Sequence, residues 1–219
     1  SAGSQVFTQL FPALGKSTAM IIFAAIILVY TFLGGFKAVC WTDFFQGLLM
    51  LVALLAVPIV MIFFGEKNSE LLNTTIIGTS GTEYSFTANL FSATPQEIIS
   101  GFGWGLGYFG MPHILVRFMS IEKPSMVKKS AIVAIIWVVI TLVATMVLAY
   151  VGRMYIMDGK SFAESLLFAD TQELIFVKLT RYIFPSFIAG ILLAAIIAAS
   201  MSTADSQLLV ASSSFTSDI

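Results

Sequence analysis

Charge is scarce in this chain. Only 11% of its 219 residues are Asp, Glu, Lys or Arg, and the net charge is -1. Soluble domains carry about 25% charged residues, so a water-exposed globule is excluded. No basic stripe is present, which removes nucleic acid from the list of partners. The single cysteine, Cys40, excludes a disulfide within the chain. The single histidine, His113, leaves no His/Cys set for a transition metal. No nucleophile–base pair is evident, so an enzyme is not expected. The chain opens on Ser1-Ala2-Gly3, with no initiator methionine and no signal-peptide pattern. It is therefore expected to be an internal fragment, residues 1–219, of one transmembrane domain.

What the chain does contain is apolar residues, 58% of the total. They are gathered into long runs, each matching about 30 Å of hydrocarbon at about 1.5 Å per helical residue. Five spans are predicted, at 18–36, 38–64, 97–119, 130–151 and 173–209, with the first turns of the last expected outside the hydrocarbon. The expected class is an all-α polytopic protein of the cell (plasma) membrane. Lys37, and the group Arg117, Lys123, Lys128 and Lys129, mark cytoplasmic turns by the positive-inside rule. The polar segment 65–96 reads as an outer loop. So does 152–172, where Arg153 and Lys160 stand against Asp158, Glu164 and Asp170, and where residues 161–168 suit a short surface helix.

The third span is unusual. From Gly101 to Gly110 a glycine falls at every second or third position, and Pro112 follows. Glycine costs a helix about 1 kcal/mol and proline about 3. Such a span either packs closely on its neighbours through its small residues or, the reading favoured here, breaks at the midplane, where freed backbone groups can bind a solute or an ion. Trp104 and Tyr108, four residues apart, share a face and suit an aromatic binding wall.

The fifth span ends in Ala199-Ser200-Met201-Ser202-Thr203-Ala204-Asp205-Ser206. Polar groups at membrane depth are costly unless something polar meets them. Residues 199, 202, 203 and 206 are expected on one helical face. Hydroxyls and carbonyls are hard oxygen donors that need no deprotonation, so the face suits a small cation.

Three motifs in order resemble the solute:sodium symporter family, most closely its sodium/proline branch. The first is Tyr30-Thr31-Phe32-Leu33-Gly34-Gly35-Phe36-Lys37-Ala38-Val39 with Trp41-Thr42-Asp43. The second runs from Gly103-Trp104-Gly105 through Tyr108-Phe109-Gly110-Met111-Pro112-His113 to Arg117-Phe118. The third is Ala189-Gly190-Ile191-Leu192-Leu193 followed by Met201-Ser202-Thr203. The resemblance implies the leucine-transporter fold of two inverted five-helix repeats. This chain would hold the last two helices of the first repeat and the first three of the second. The opening helix of the first repeat, which supplies half of the sodium site, is not among them.

By resemblance, the sodium ligands are the Ala199 carbonyl and the Ser202 and Thr203 hydroxyls. Substrate contacts map to Trp104, Tyr108 and Pro112, with Met111 standing where the branch has glutamine. A second ion site or gate involves Asp43 and Ser206. Asp205 replaces a small hydroxyl residue there, and a structural or gating role is favoured for it. Arg117 is read as a positive-inside anchor. The function implied is sodium-coupled symport of L-proline or a similar small solute across a lipid bilayer. No cofactor is expected beyond sodium as the coupling ion. The alternatives are sodium symport of another small organic solute, or a symporter-like sensory domain of a histidine kinase.

Overall fold

The computed structural model describes residues 15–87, 89, 91–108, 110–157, 160–168 and 171–218. Phe109 of the second motif, the loop acids Asp158 and Asp170, and both chain ends lie outside the described residues.

Helix α1 (Lys16–Phe63) joins the first two predicted spans. At about 1.5 Å per residue it is about twice the length needed for one crossing. Gly35 divides it, with φ 58° and ψ -167°. That region of backbone space is essentially reserved for glycine, so the helix changes direction within the Gly34-Gly35 pair. Pro58 lies further along α1, where it removes one intrahelical hydrogen bond. Lys67 caps the far end, its Nζ donating to the carbonyls of Met61 (3.1 Å), Ile62 (3.1 Å) and Gly65 (3.2 Å).

The predicted outer loop is more ordered than a polar run suggests. A 3₁₀ turn (Ser69–Asn73) leads into an antiparallel hairpin of β1 (Thr75–Ile77) and β2 (Glu83–Ser85). The hairpin's tip is closed by Gly78 N donating to Thr82 O at 2.9 Å. Helix α2 (Pro95–Tyr108) begins at a capping box. Thr94 N donates to Glu97 Oε2 at 2.7 Å, and Glu97 N donates to Thr94 Oγ1 at 3.3 Å.

The third predicted span does break. Helix α2 stops at Tyr108, and α3 (Pro112–Met119) starts again with Pro112 in its first turn. Helix α4 (Pro124–Met154) takes in the fourth span. The fifth predicted span is two helices. Its first part is a separate helix, α6 (Ile175–Ile183), and the long helix α7 runs Ser186–Asp218. Pro185 accounts for the split, because the residue before a proline is pushed out of helical backbone. Between α4 and α6 lie a short antiparallel pair, β3 (Ile156–Met157) and β4 (Lys160–Ser161), and α5 (Phe162–Phe168). The expected short helix is therefore present, but its Phe162, Ala163 and Leu166 are buried.

Among the described residues, three helices are long and apolar enough to cross a membrane: Ser17–Phe63, Pro124–Met154 and Ser186–Thr216. Large apolar side chains on them face outward, including Phe32 at 89% and Phe187 at 80% exposure. Two compact units divide the chain. One comprises 1–53, 111–121 and 185–219. In it, α3 packs on α7, and buried stripes run along α1 (Ala19, Phe23, Ile27, Thr31) and α7 (Ala189, Leu192, Leu193). The other comprises 54–110 and 122–184. Its core gathers Met61, Leu72, Leu148, Phe162, Leu166 and Leu179. Arg153 is buried there: its Nε donates to Leu71 O at 2.9 Å and its Nη2 to Thr74 Oγ1 at 2.6 Å. The guanidinium also lies 4.1 Å from the centre of the Phe86 ring. This arginine holds the outer hairpin to the end of α4.

Candidate functional site

The polar stretch of α7 is bonded within itself before it meets anything else. Ser200 donates to Ile196 O at 3.1 Å, Thr203 to Ala199 O at 3.2 Å and Ser206 to Ser202 O at 2.9 Å. Serine and threonine in helices commonly bond back one turn in this way. A hydroxyl that has donated its proton still offers lone pairs, so these bonds leave oxygen ligands in place. Ala199 and Ser202 are half-buried, while Thr203 is exposed. The buried face of α7 is thus offset from the one expected. Ala198, Asp205 and Ser206 lie on it, and Thr203 stands beside it.

Asp205 is fully buried, and the Tyr30 hydroxyl donates to its carboxylate. One residue on, Ser206 meets a second acid. Its Oγ lies 3.5 Å from Asp43 Oδ2 and accepts from Arg117 Nη2 at 2.6 Å. Arg117 also forms an ion pair with that same Asp43 oxygen. The Asp43 side chain is 8% exposed and the Arg117 side chain 50%. Tyr30 and Asp43 stand on opposite sides of Gly35, yet they reach neighbouring residues of α7. The Gly35 break allows both.

The reading of Arg117 as an anchor at the membrane edge is corrected here: it is a bonded partner of Asp43 and Ser206. The pairing had a signal in the sequence. Asp43, Arg117 and Ser206 all sit near the predicted cytoplasmic ends of their spans, hence at similar depth. Tyr30 as the donor to Asp205 had no such signal. A cavity of about 270 Å³ opens beside this group, lined by Cys40, Asp43, His113, Arg117, Ser206 and Ser213 among others.

The aromatic pair is in contact, with Trp104 and Tyr108 ring centres 5.1 Å apart and the rings tilted by 59°. Both rings are exposed on α2, at 73% and 44%. Pro112 opens α3, and Met111 is the residue before it, with no side-chain cap. Trp104 and Tyr108 belong to one compact unit, and Pro112 and the α7 oxygens belong to the other. A larger cavity of about 730 Å³, in the same unit as the aromatic pair, is lined by Leu72, Phe86, Tyr150, Arg153 and Leu166 among others. It contains none of the site residues expected from the sequence.

The family model described as the sodium:solute symporter family matches residues 2–219. The chain belongs to that family. It is a multi-pass protein of the cell membrane. The chain is 38% identical over 218 residues to the sodium/proline symporter 2 of Staphylococcus saprophyticus, covering 99% of the chain and 40% of the relative. It is 36% identical over 217 residues to the Haemophilus influenzae sodium/proline symporter, covering 99% of the chain and 42% of the relative. It is also 36% identical over 223 residues to the Escherichia coli sodium/proline symporter, covering 100% and 42%. The chain thus spans about two fifths of the length of these curated relatives. No solved structure matches it significantly.

Proposed function

We propose that this chain is part of a sodium-coupled symporter that brings L-proline into the cell, and that it carries one side of the sodium site and one wall of the substrate site. The observation that carries the reading is the oxygen cluster on α7, a helix of bilayer length. There, the Ala199 carbonyl and Thr203 hydroxyl lie 3.2 Å apart, with Ser202 half-buried beside them. Hard oxygens at membrane depth suit sodium. Relatives matched along nearly the whole chain are named sodium/proline symporters, which supports the choice of ion and solute.

In this reading the fold is the leucine-transporter type. The two halves of α1 are the last two helices of its first repeat, and the rest of the chain supplies three helices of the second. Trp104 and Tyr108 on α2 supply an aromatic wall for the substrate. Sodium is held by Ala199, Ser202 and Thr203 on α7. Proline and sodium then tighten each other by the same free energy, as linkage requires. No organic cofactor takes part.

Uptake of labelled proline into vesicles bearing the full-length protein tests the reading. Uptake should collapse when the inward sodium gradient is replaced by potassium. Equal uptake in potassium would refute it. A different labelled solute that is taken up while proline is refused would keep the symport mechanism and replace its cargo.

A further inference from the structure

The cavity of about 730 Å³ has no part in the site described above, and all of its lining residues fall within the unit of 54–110 and 122–184. Of those residues, only Thr87, Tyr150 and Arg153 carry polar side chains. Its walls are otherwise apolar, with Val143, Met146 and Leu166 among them. We propose that this cavity seats one acyl chain of an anionic membrane phospholipid, whose phosphate pairs with Arg153. The site stands independently of which solute and ion the protein carries.

Charge, depth and lining each carry it. Arg153 is only 6% exposed, and its Nη1 has no hydrogen-bond partner among the described residues. Its Nε and Nη2 are spent on Leu71 and Thr74. Glu164 acts on the guanidinium through space, and among the described residues no ion pair neutralises it. A buried guanidinium with an N–H to spare suits a phosphate oxygen, which brings both the acceptor and the missing negative charge. The depth agrees. Helix α4 has 31 residues and carries Arg153 in its last turn. At about 1.5 Å per residue it is about 46 Å long, close to the roughly 40–45 Å of hydrocarbon and head-group layers together. Its end therefore lies at the level of the lipid phosphates. The lining then separates a lipid from a soluble anion. A free anion would answer Arg153 and leave the apolar wall against water, whereas an acyl chain covers that wall. Pockets of about 300–1,000 Å³ take one ligand of drug size, so one chain enters and the lipid's other chain stays in the bilayer.

The test uses the purified full-length protein in detergent micelles. Dioleoylphosphatidylglycerol is compared with dioleoylphosphatidylcholine at the same lipid-to-detergent ratio. Phosphatidylglycerol should raise the thermal midpoint by a few degrees more than phosphatidylcholine, because a ligand bound to the native state alone stabilises it. Native mass spectrometry should show one phosphatidylglycerol retained per molecule. Val147→Trp fills the cavity and leaves Arg153 in place, and Arg153→Met removes the charge. Each should abolish both the preference and the retained lipid, and either variant decides the matter if the other fails to fold. Equal stabilisation by the two lipids in the wild type overturns the proposal, and is the result expected if the rest of the transporter fills the cavity. A preference undiminished in Val147→Trp overturns the cavity as the site. Inorganic phosphate alone should shift nothing. A shift from phosphate, or from oleate, as large as that from phosphatidylglycerol overturns the phospholipid as occupant.

Discussion

At the scale of single residues, the informative feature is how each buried polar atom is satisfied. The buried Asp205 carboxylate accepts from a neutral side-chain donor, Tyr30. Removing that donor strands a buried acid, which costs about 1–3 kcal/mol. Tyr30→Phe should therefore lower thermal stability in detergent by that amount, and Asp205→Ala added to it should restore most of the loss. A double mutant that is merely the sum of both singles would argue against the pair. Ser202→Ala with Thr203→Ala removes two of the assigned sodium ligands. The half-saturating sodium for uptake should rise by about tenfold or more, since each 1.4 kcal/mol of lost binding is a factor of about ten. Unaltered sodium dependence would withdraw the assignment. The sequence made the α7 oxygens legible, because hydroxyls in a greasy run stand out. Their orientation was not legible. Helical periodicity places 199, 202, 203 and 206 together, but the angle at which α7 is buried depends on its neighbours, and Thr203 came out exposed.

At the scale of elements, glycine and proline proved the most readable signals. The break predicted from Gly101–Gly110 and Pro112 appears between α2 and α3. The boundary placed near Lys37 appears two residues earlier, at Gly35. A Cβ at Gly35 would meet nothing within 4 Å, so Gly35→Ala tests backbone strain alone. It should destabilise by about 1–3 kcal/mol, read as a lower midpoint of denaturation. The first turns of the fifth predicted span, expected outside the hydrocarbon, form a helix of their own, and residues 173–183 are apolar on one side only. In α6 the side bearing Val177 and Leu179 is buried, while Lys178 and Arg181 are exposed. The outer hairpin was illegible for a different reason. Its strands are three residues each, too short for alternation to register, and they are held by Arg153 from distant α4. Arg153→Met should leave the hairpin loosely attached and open the segment after α1 to protease, with α4 itself resistant. On α2, Trp104→Ala should weaken proline binding through loss of aromatic contact and leave the stability midpoint within about 0.5 kcal/mol, because the ring is exposed.

At the scale of the whole chain, class and family were legible from composition and three motifs, and the match over residues 2–219 accords with both. The count of crossings was less legible, because length and apolarity do not say where a long helix turns. The exposed apolar faces have a practical consequence when set beside a net charge of -1. Copies of this chain in water have large oily surfaces and almost no mutual repulsion to hold them apart. Their colloidal stability must come from an amphiphile coat. Diluting a purified sample below the critical micelle concentration should precipitate it at low and high ionic strength alike, while transfer into nanodiscs should keep it dispersed.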